Sequence, residues 1–131
     1  FEPEPYNCTV LNRPAWINSN KKIKFALGTD SVGASLYTNG IYTEGSETIE
    51  LDTFDFAEYV LQNINSGDYN ILKIDIEGSE YEVLRHLIMS GTACMFSEID
   101  IEFHALYSNE TSHYWVTETA LSWFLESCGV Y

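Results

Sequence analysis

The most regular hydrophobic pattern lies mid-chain, at Tyr69-Asn70-Ile71-Leu72-Lys73-Ile74-Asp75-Ile76-Glu77. Leu72, Ile74 and Ile76 alternate with Lys73, Asp75 and Glu77, the period of two that sends successive side chains to opposite faces of a strand. Gly78 interrupts it. Ser79-Glu80-Tyr81-Glu82 then has the spacing of a capping box, in which a serine and a glutamate three residues on cover each other's backbone N–H groups. Val83, Leu84, Leu87 and Ile88 follow at the intervals of a helix stripe, and Gly91 closes it. From Met95 to His104 the alternation returns, with Ile99, Ile101 and Phe103 set against Glu98, Asp100, Glu102 and His104. Strand, helix and strand in roughly 36 residues is the size of a right-handed crossover, so the two strands are expected to be parallel.

Weaker patterns flank this centre. Thr9 to Leu11 reads as a short extended stretch, and Pro14, which lacks an N–H, argues against a regular element crossing it. Lys22 to Leu27 and Thr48 to Asp52 each alternate as half-buried strands. Phe56, Val60, Leu61 and Ile64 predict a helix capped by Asp52 or Thr53 and ended by Asn65-Ser66-Gly67-Asp68. Residues 28–45 hold four glycines and many Ser, Thr and Asn, the composition of a long loop or a pair of short strands. A polar connection from Ala105 to Trp115 leads to a last helix with Ala120, Leu121, Phe124 and Leu125 as its stripe, and Gly129-Val130-Tyr131 reads as the opening of a further strand. The order of elements predicts an α/β fold, one domain over residues 1–131.

Composition agrees with one domain. The 131 residues are 45% apolar and 15% aromatic, enough to bury a single core. Charge narrows the partners. Six Lys and Arg against 20 Asp and Glu leave a formal net charge of −14, which repels phosphate backbones and anionic membranes. Nucleic acid is excluded as a partner, and no apolar run reaches the length of about 18 residues that a membrane span needs. Phe1-Glu2-Pro3-Glu4-Pro5 has neither the basic nor the apolar part of a secretory leader. Cys8, Cys94 and Cys128 are odd in number and match no metal or disulfide pattern, so they are expected as unpaired thiols in a reducing compartment, the cytoplasm. Two short glycosylation-type triplets, Asn7-Cys8-Thr9 and Asn109-Glu110-Thr111, weigh the other way.

Chemistry is expected at the carboxyl ends of the parallel strands, where ligands of open α/β sheets bind. That puts Asp75, Glu77 and Gly78 at one strand mouth and Glu102 and His104 at the next. Glu98, Asp100, Glu102 and His104 leave the same face, and three carboxylates cannot be buried there unpaired. The face meets water, or its far end meets a cation or a polar ligand. Turn formation and helix-dipole complementation would equally account for Asp75 and Glu77. His86, mid-helix, is expected at the surface, while His113, Tyr114 and Trp115 lie in a connection that covers the site or packs on the core. Asp75, Glu77 and Glu102 also offer the hard oxygen ligands of a magnesium or calcium site, although nothing else in the sequence supports a divalent cation.

The run Ile71-Leu72-Lys73-Ile74-Asp75-Ile76-Glu77-Gly78-Ser79-Glu80-Tyr81-Glu82-Val83-Leu84 closely resembles the signature of the FkbM family of S-adenosylmethionine-dependent methyltransferases, a strand reading roughly KIDxEGxE followed by a helix with VL. Phe1-Glu2-Pro3, the loop Asp30-Ser31-Val32-Gly33-Ala34-Ser35-Leu36-Tyr37, the strand Thr48-Ile49-Glu50-Leu51-Asp52 and Ile101-Glu102-Phe103-His104 are similar to other family segments in the same order. The resemblance implies a Rossmann-like class I methyltransferase fold and methyl transfer to a hydroxyl of a carbohydrate or other small molecule. It implies that Glu2 accepts hydrogen bonds from the cofactor ribose, that Ala15 lies along the adenine, and that Asp75 faces the transfer site. Asp75, Glu102 and His104 are the candidates for taking the acceptor's proton. The family's Gly-rich cofactor loop and first strand would precede Phe1, and further strands would follow Tyr131. The chain therefore reads as a core incomplete at both ends, expected on its own to bind the cofactor weakly or not at all. A domain that keeps this core but serves as a non-catalytic interaction module is the alternative.

Overall fold

A computed structural model describes residues 8–27, 47–104 and 111–130, with the side chains of residues 111–117 excepted. Its elements are β1 (Ala15–Trp16), β2 (Lys22–Ala26), β3 (Thr48–Asp52), β4 (Phe54–Asp55), α1 (Phe56–Asn63), β5 (Ile71–Ile74), α2 (Glu80–Met89), a 3-10 turn (Ala93–Met95), β6 (Glu98–Ile101) and α3 (Thr111–Ser127). The fold is mixed α/β. Among the described residues the strands form three two-stranded sheets, β1–β4, β2–β3 and β5–β6, in place of the one continuous sheet that the resemblance implies.

The central unit follows the alternation. β5 and β6 are parallel, with Ile71 opposite Glu98, Leu72 opposite Ile99, Lys73 opposite Asp100 and Ile74 opposite Ile101. Ile74 is buried and Lys73 exposed, as alternate faces require. The helix between the strands buries Val83, Leu84 and Leu87 in a core shared with Val60 of α1, Phe96, and Leu125 and Val130 at the end of the chain. Both strands are shorter than the pattern predicts. β5 stops at Ile74 because the chain turns out of the ladder through Glu77 and Gly78, whose φ angles are 53° and 102°. Only glycine enters that left-handed region without steric cost.

Around this unit several expectations change. A short parallel strand, β1, begins directly after Pro14, whose carbonyl accepts the Phe54 N–H at 3.1 Å. Lys22–Ala26 and Thr48–Asp52 are strands as predicted, and they pair with each other, antiparallel. Thr53 does not cap α1. It is wholly buried, its hydroxyl donating to the Asn18 carbonyl at 2.7 Å and accepting the Lys21 N–H at 3.2 Å. The cap is Asp55, which accepts the Glu58 N–H at 3.1 Å, because β4 carries the chain two residues further before the helix starts. Val60 is buried as expected, but Leu61, also expected on the buried stripe, is 62% exposed, and Ala57 is buried instead. Helix α3 starts at Thr111, inside what the polar composition predicts as a connection. No helix of the described residues is long and apolar enough to cross a membrane.

The cysteines depart furthest from expectation. Cys94, in the turn before β6, and Cys128, at the end of α3, are joined in a disulfide with Cα atoms 5.6 Å apart, and Cys8 is free and exposed. The expectation of a reducing compartment rested on three unpaired thiols, and the pairing removes that support.

Candidate functional site

The site grows from the exit of β5. Asp75 and Ile76 leave the strand, and Glu77 and Gly78 turn the chain into α2. Holding a glutamate in the left-handed region costs on the order of 1 kcal/mol, so the turn needs outside support. Glu80 provides it. Its side chain is fully buried, yet its carboxylate accepts the Ile76 N–H at 3.0 Å and the Gly78 N–H at 2.9 and 3.1 Å. The capping box predicted for Ser79 and Glu82 does not form. Ser79 makes no capping hydrogen bond, and its buried hydroxyl has no partner among the described residues.

The second half arrives from β6. The Glu102 N–H continues the ladder by one bond, donating to the Ile74 carbonyl at 3.0 Å, so the two strand tips lie side by side. Phe103 turns inward against Tyr81, with ring centroids 5.1 Å apart. The Tyr81 hydroxyl donates to Glu118 of α3, which ties the last helix to this corner. His104 turns the other way. Its Nδ1 lies 2.9 Å from Oε1 of Glu80, and its Nε2 lies 3.7 Å from Glu77, 3.7 Å from Glu102 and 3.9 Å from Asp75.

The electrostatics follow from that arrangement. The His104 side chain is only 18% exposed. Burial works to lower its pKa, but the hydrogen bond to Glu80 and the negative charges of Glu80, Glu77 and Asp75 outweigh it and raise the value above the ordinary 6.5. The imidazole is a stronger base than a free one.

The sequence-predicted residues are therefore partly gathered. Asp75, Glu102 and His104 share one corner, although Glu102, with its side chain 64% exposed, stands on the rim. Ala15 sits on β1 opposite Phe54, in a different sheet from this corner, and Glu2 lies outside the described residues. The donor atoms of Asp75, Glu77 and His104 lie within 4.8 Å of one another, so these are the residues that could close around a divalent cation; the imidazole stands where Glu102 was expected. Two interior polar residues escaped the sequence reading, Glu80 in the corner and His86 outside it. Glu80 was absorbed into the expected cap, and His86 was expected at the surface. His86 is half-buried and its Nε2 lies 2.9 Å from Oδ1 of Asp55, which joins α2 to the start of α1. A glutamate two residues after a glycine at a strand exit was the available signal for Glu80. For His86 there was none.

Comparison with known proteins adds a family. The family model described as a methyltransferase FkbM domain matches residues 1–129. No curated protein and no solved structure matches the chain.

Proposed function

The chain belongs to the methyltransferase FkbM family, and from that premise we propose that it is an S-adenosylmethionine-dependent O-methyltransferase domain whose acceptor is a hydroxyl of a carbohydrate or other small molecule. The observation that supports this reading is the corner where two parallel strands end. There a basic imidazole stands beside Asp75, Glu77 and Glu102. The reading includes a Rossmann-like sheet, of which β5, α2 and β6 are one parallel crossover.

When bound, S-adenosylmethionine supplies an electrophilic methyl group on a positively charged sulfonium. The donor set fits such a group in charge, since the carboxylates at the strand end, Asp75 exposed and Glu77 part-buried, carry the opposite sign. Glu2 and Ala15 are proposed for the ribose and adenine ends, and Asp75 for the transfer end. The acceptor hydroxyl must lose its proton as the carbon–oxygen bond forms. His104 Nε2 takes that proton, and Asp75, Glu77 and Glu102 stabilise the imidazolium that results. The elevated basicity of His104 suits this task, because an alcohol is a far weaker acid than the imidazolium.

The test uses the protein at its full encoded length, S-adenosylmethionine labelled in the methyl group, and a panel of neutral monosaccharides and polyols. Label is expected in at least one acceptor. His104→Gln should lower the rate by about 10²- to 10⁴-fold, the usual contribution of a general base, and Asp75→Asn by at least tenfold. An unmodified protein that binds no cofactor in calorimetry and transfers no label would overturn the reading and leave the interaction module in its place.

A further inference from the structure

Deepening the methyltransferase reading and resting on it, we propose that Glu80 is the positioning residue of the site: its buried carboxylate holds the Nδ1–H of His104 and so fixes the tautomer whose Nε2 lone pair faces Asp75 and Glu77.

The hydrogen-bond pattern assigns the proton. Oε1 of Glu80 already receives the N–H groups of Ile76 and Gly78, at 3.0 and 3.1 Å. Both act as donors to Oε1, so it serves as an acceptor and has no proton to give, and because the Gly78 N–H is shared with Oε2, the nearer at 2.9 Å, Oε1 keeps capacity for a further N–H. At 2.9 Å the His104 Nδ1 must therefore be the donor. A neutral imidazole carries one N–H, so with that proton on Nδ1 the lone pair is on Nε2. Left to itself a histidine ring exchanges tautomers and rotates; here one nitrogen is anchored to a carboxylate with no exposed surface.

The same carboxylate does a second job. By accepting from Ile76 and Gly78 it steadies the left-handed turn at Glu77, whose Oε2 lies 3.7 Å from Nε2. One buried side chain thus sets both walls of the corner: the ring that accepts the proton and the turn that carries one of its countercharges. Glu80 is enclosed, so it acts through His104 and does not meet the acceptor. Burying a carboxylate is costly unless every oxygen is paired, and a helix start alone does not require a buried acid, since a serine cap with a glutamate three residues on is the ordinary device and its residue types are present in this segment.

The tautomer is read directly by two-dimensional nitrogen–proton correlation of the histidine side chains, at a pH above their titration range. In the unmodified protein His104 should show a protonated Nδ1 and a bare Nε2; a ring protonated at Nε2 overturns the proposal without any variant. In Glu80→Met, which keeps the volume and removes the acceptor, the Nδ1–H form should give way to exchange between tautomers. Glu80→Gln covers the case in which the methionine variant does not fold, which far-ultraviolet circular dichroism reports. With an active protein, Glu80→Gln should lower kcat at least tenfold and leave KM for S-adenosylmethionine unchanged. If the unmodified protein transfers no methyl group while His104 shows the expected tautomer, the methyltransferase reading fails and the hold of Glu80 on His104 stands. If transfer occurs and Glu80→Gln leaves kcat unaltered, the positioning role fails and the methyltransferase reading stands.

Discussion

Two acids two residues apart on α2 meet opposite fates. Glu80 is buried with its carboxylate fully engaged, whereas Oε2 of Glu82 is shut off from solvent with no hydrogen-bond partner among the described residues. Burial pushes the Glu82 carboxyl up; its own backbone N–H and Arg85 pull it down, Glu80 pushes it up, and the net shift is upward from the ordinary 4.5. A raised carboxyl pKa means that the folded state holds a proton which the unfolded chain has released. Stability then falls as pH rises from about 4.5 through the raised value. Glu82→Gln should therefore melt higher at pH 7, by roughly 2–6 °C, the shift that about 1 kcal/mol produces in a domain of this size. The gain should vanish in acid, where both side chains are neutral, and a lower melting point at pH 7 would refute it. The same pair shows what was legible at this scale. Asp75, Glu102 and His104 stood out because strand alternation put acids and a histidine at the strand mouths. The roles at residues 79–82 did not, because a capping serine needs extended backbone and Ser79 has φ −91° and ψ 1°. The left-handed turn before it has already bent the chain, which no residue pattern at Ser79 could reveal.

Between elements, the join of α1 to α2 rests on Asp55. Its Oδ1 accepts the Glu58 N–H at the helix start and lies 2.9 Å from Nε2 of His86. Burial would raise the Asp55 pKa, but the backbone N–H groups of Glu58 and Ala57 and the hydrogen bond and charge of His86 outweigh it, and the value falls below the ordinary 3.8. The stabilisation is thus complete above about 3.8 and is lost as pH drops through the lower folded value. Asp55→Ala should cost about 1–2 kcal/mol at pH 7, the usual loss for a helix cap, measured by urea unfolding. Asp55→Asn, which keeps a capping oxygen, should cost less, and both differences should shrink near pH 2. A penalty for Asp55→Ala that is undiminished at low pH would refute the charge's share. Of the elements of four or more residues, β2, β3, β5, α2 and β6 were readable because their apolar positions recur at the period of a strand or a helix, although in β3 the alternation marks no buried face, Ile49 being 38% exposed. The two-residue strands β1 and β4 offer too few positions for any period to show. The pairing of β2 with β3 was hidden for another reason: alternation announces a strand and says nothing of its neighbour.

At the scale of the whole molecule, a net charge of −14 works against compaction, and the three two-stranded sheets of the described residues are a modest scaffold to oppose it. The Cys94–Cys128 disulfide opposes it by another route. It closes a loop with a sequence separation of 34 residues, and removing that much freedom from the unfolded chain is worth about 3–4 kcal/mol in the loop-entropy account. Its location matters as much as its size, since it fastens the end of α3, with Leu125 and Val130 in the core, to the turn that feeds β6. The β6 strand leads directly to Glu102 and His104, so the bridge braces the corner from behind. Cysteine spacing could not foretell this, because the distance between the two thiols is set by how α3 folds back, and three cysteines leave the choice of pair open. Domains have net stabilities of only about 5–15 kcal/mol, so opening the bridge should be felt globally. In a Cys8→Ser background, which prevents thiol exchange, dithiothreitol should lower the melting temperature by about 10–20 °C. Raised salt should recover part of the loss by screening the acidic surface. Cys94→Ser should reproduce the reduced protein's melting temperature without reductant. Identical melting with and without dithiothreitol would show that packing alone, and not the bridge, holds α3 against β6.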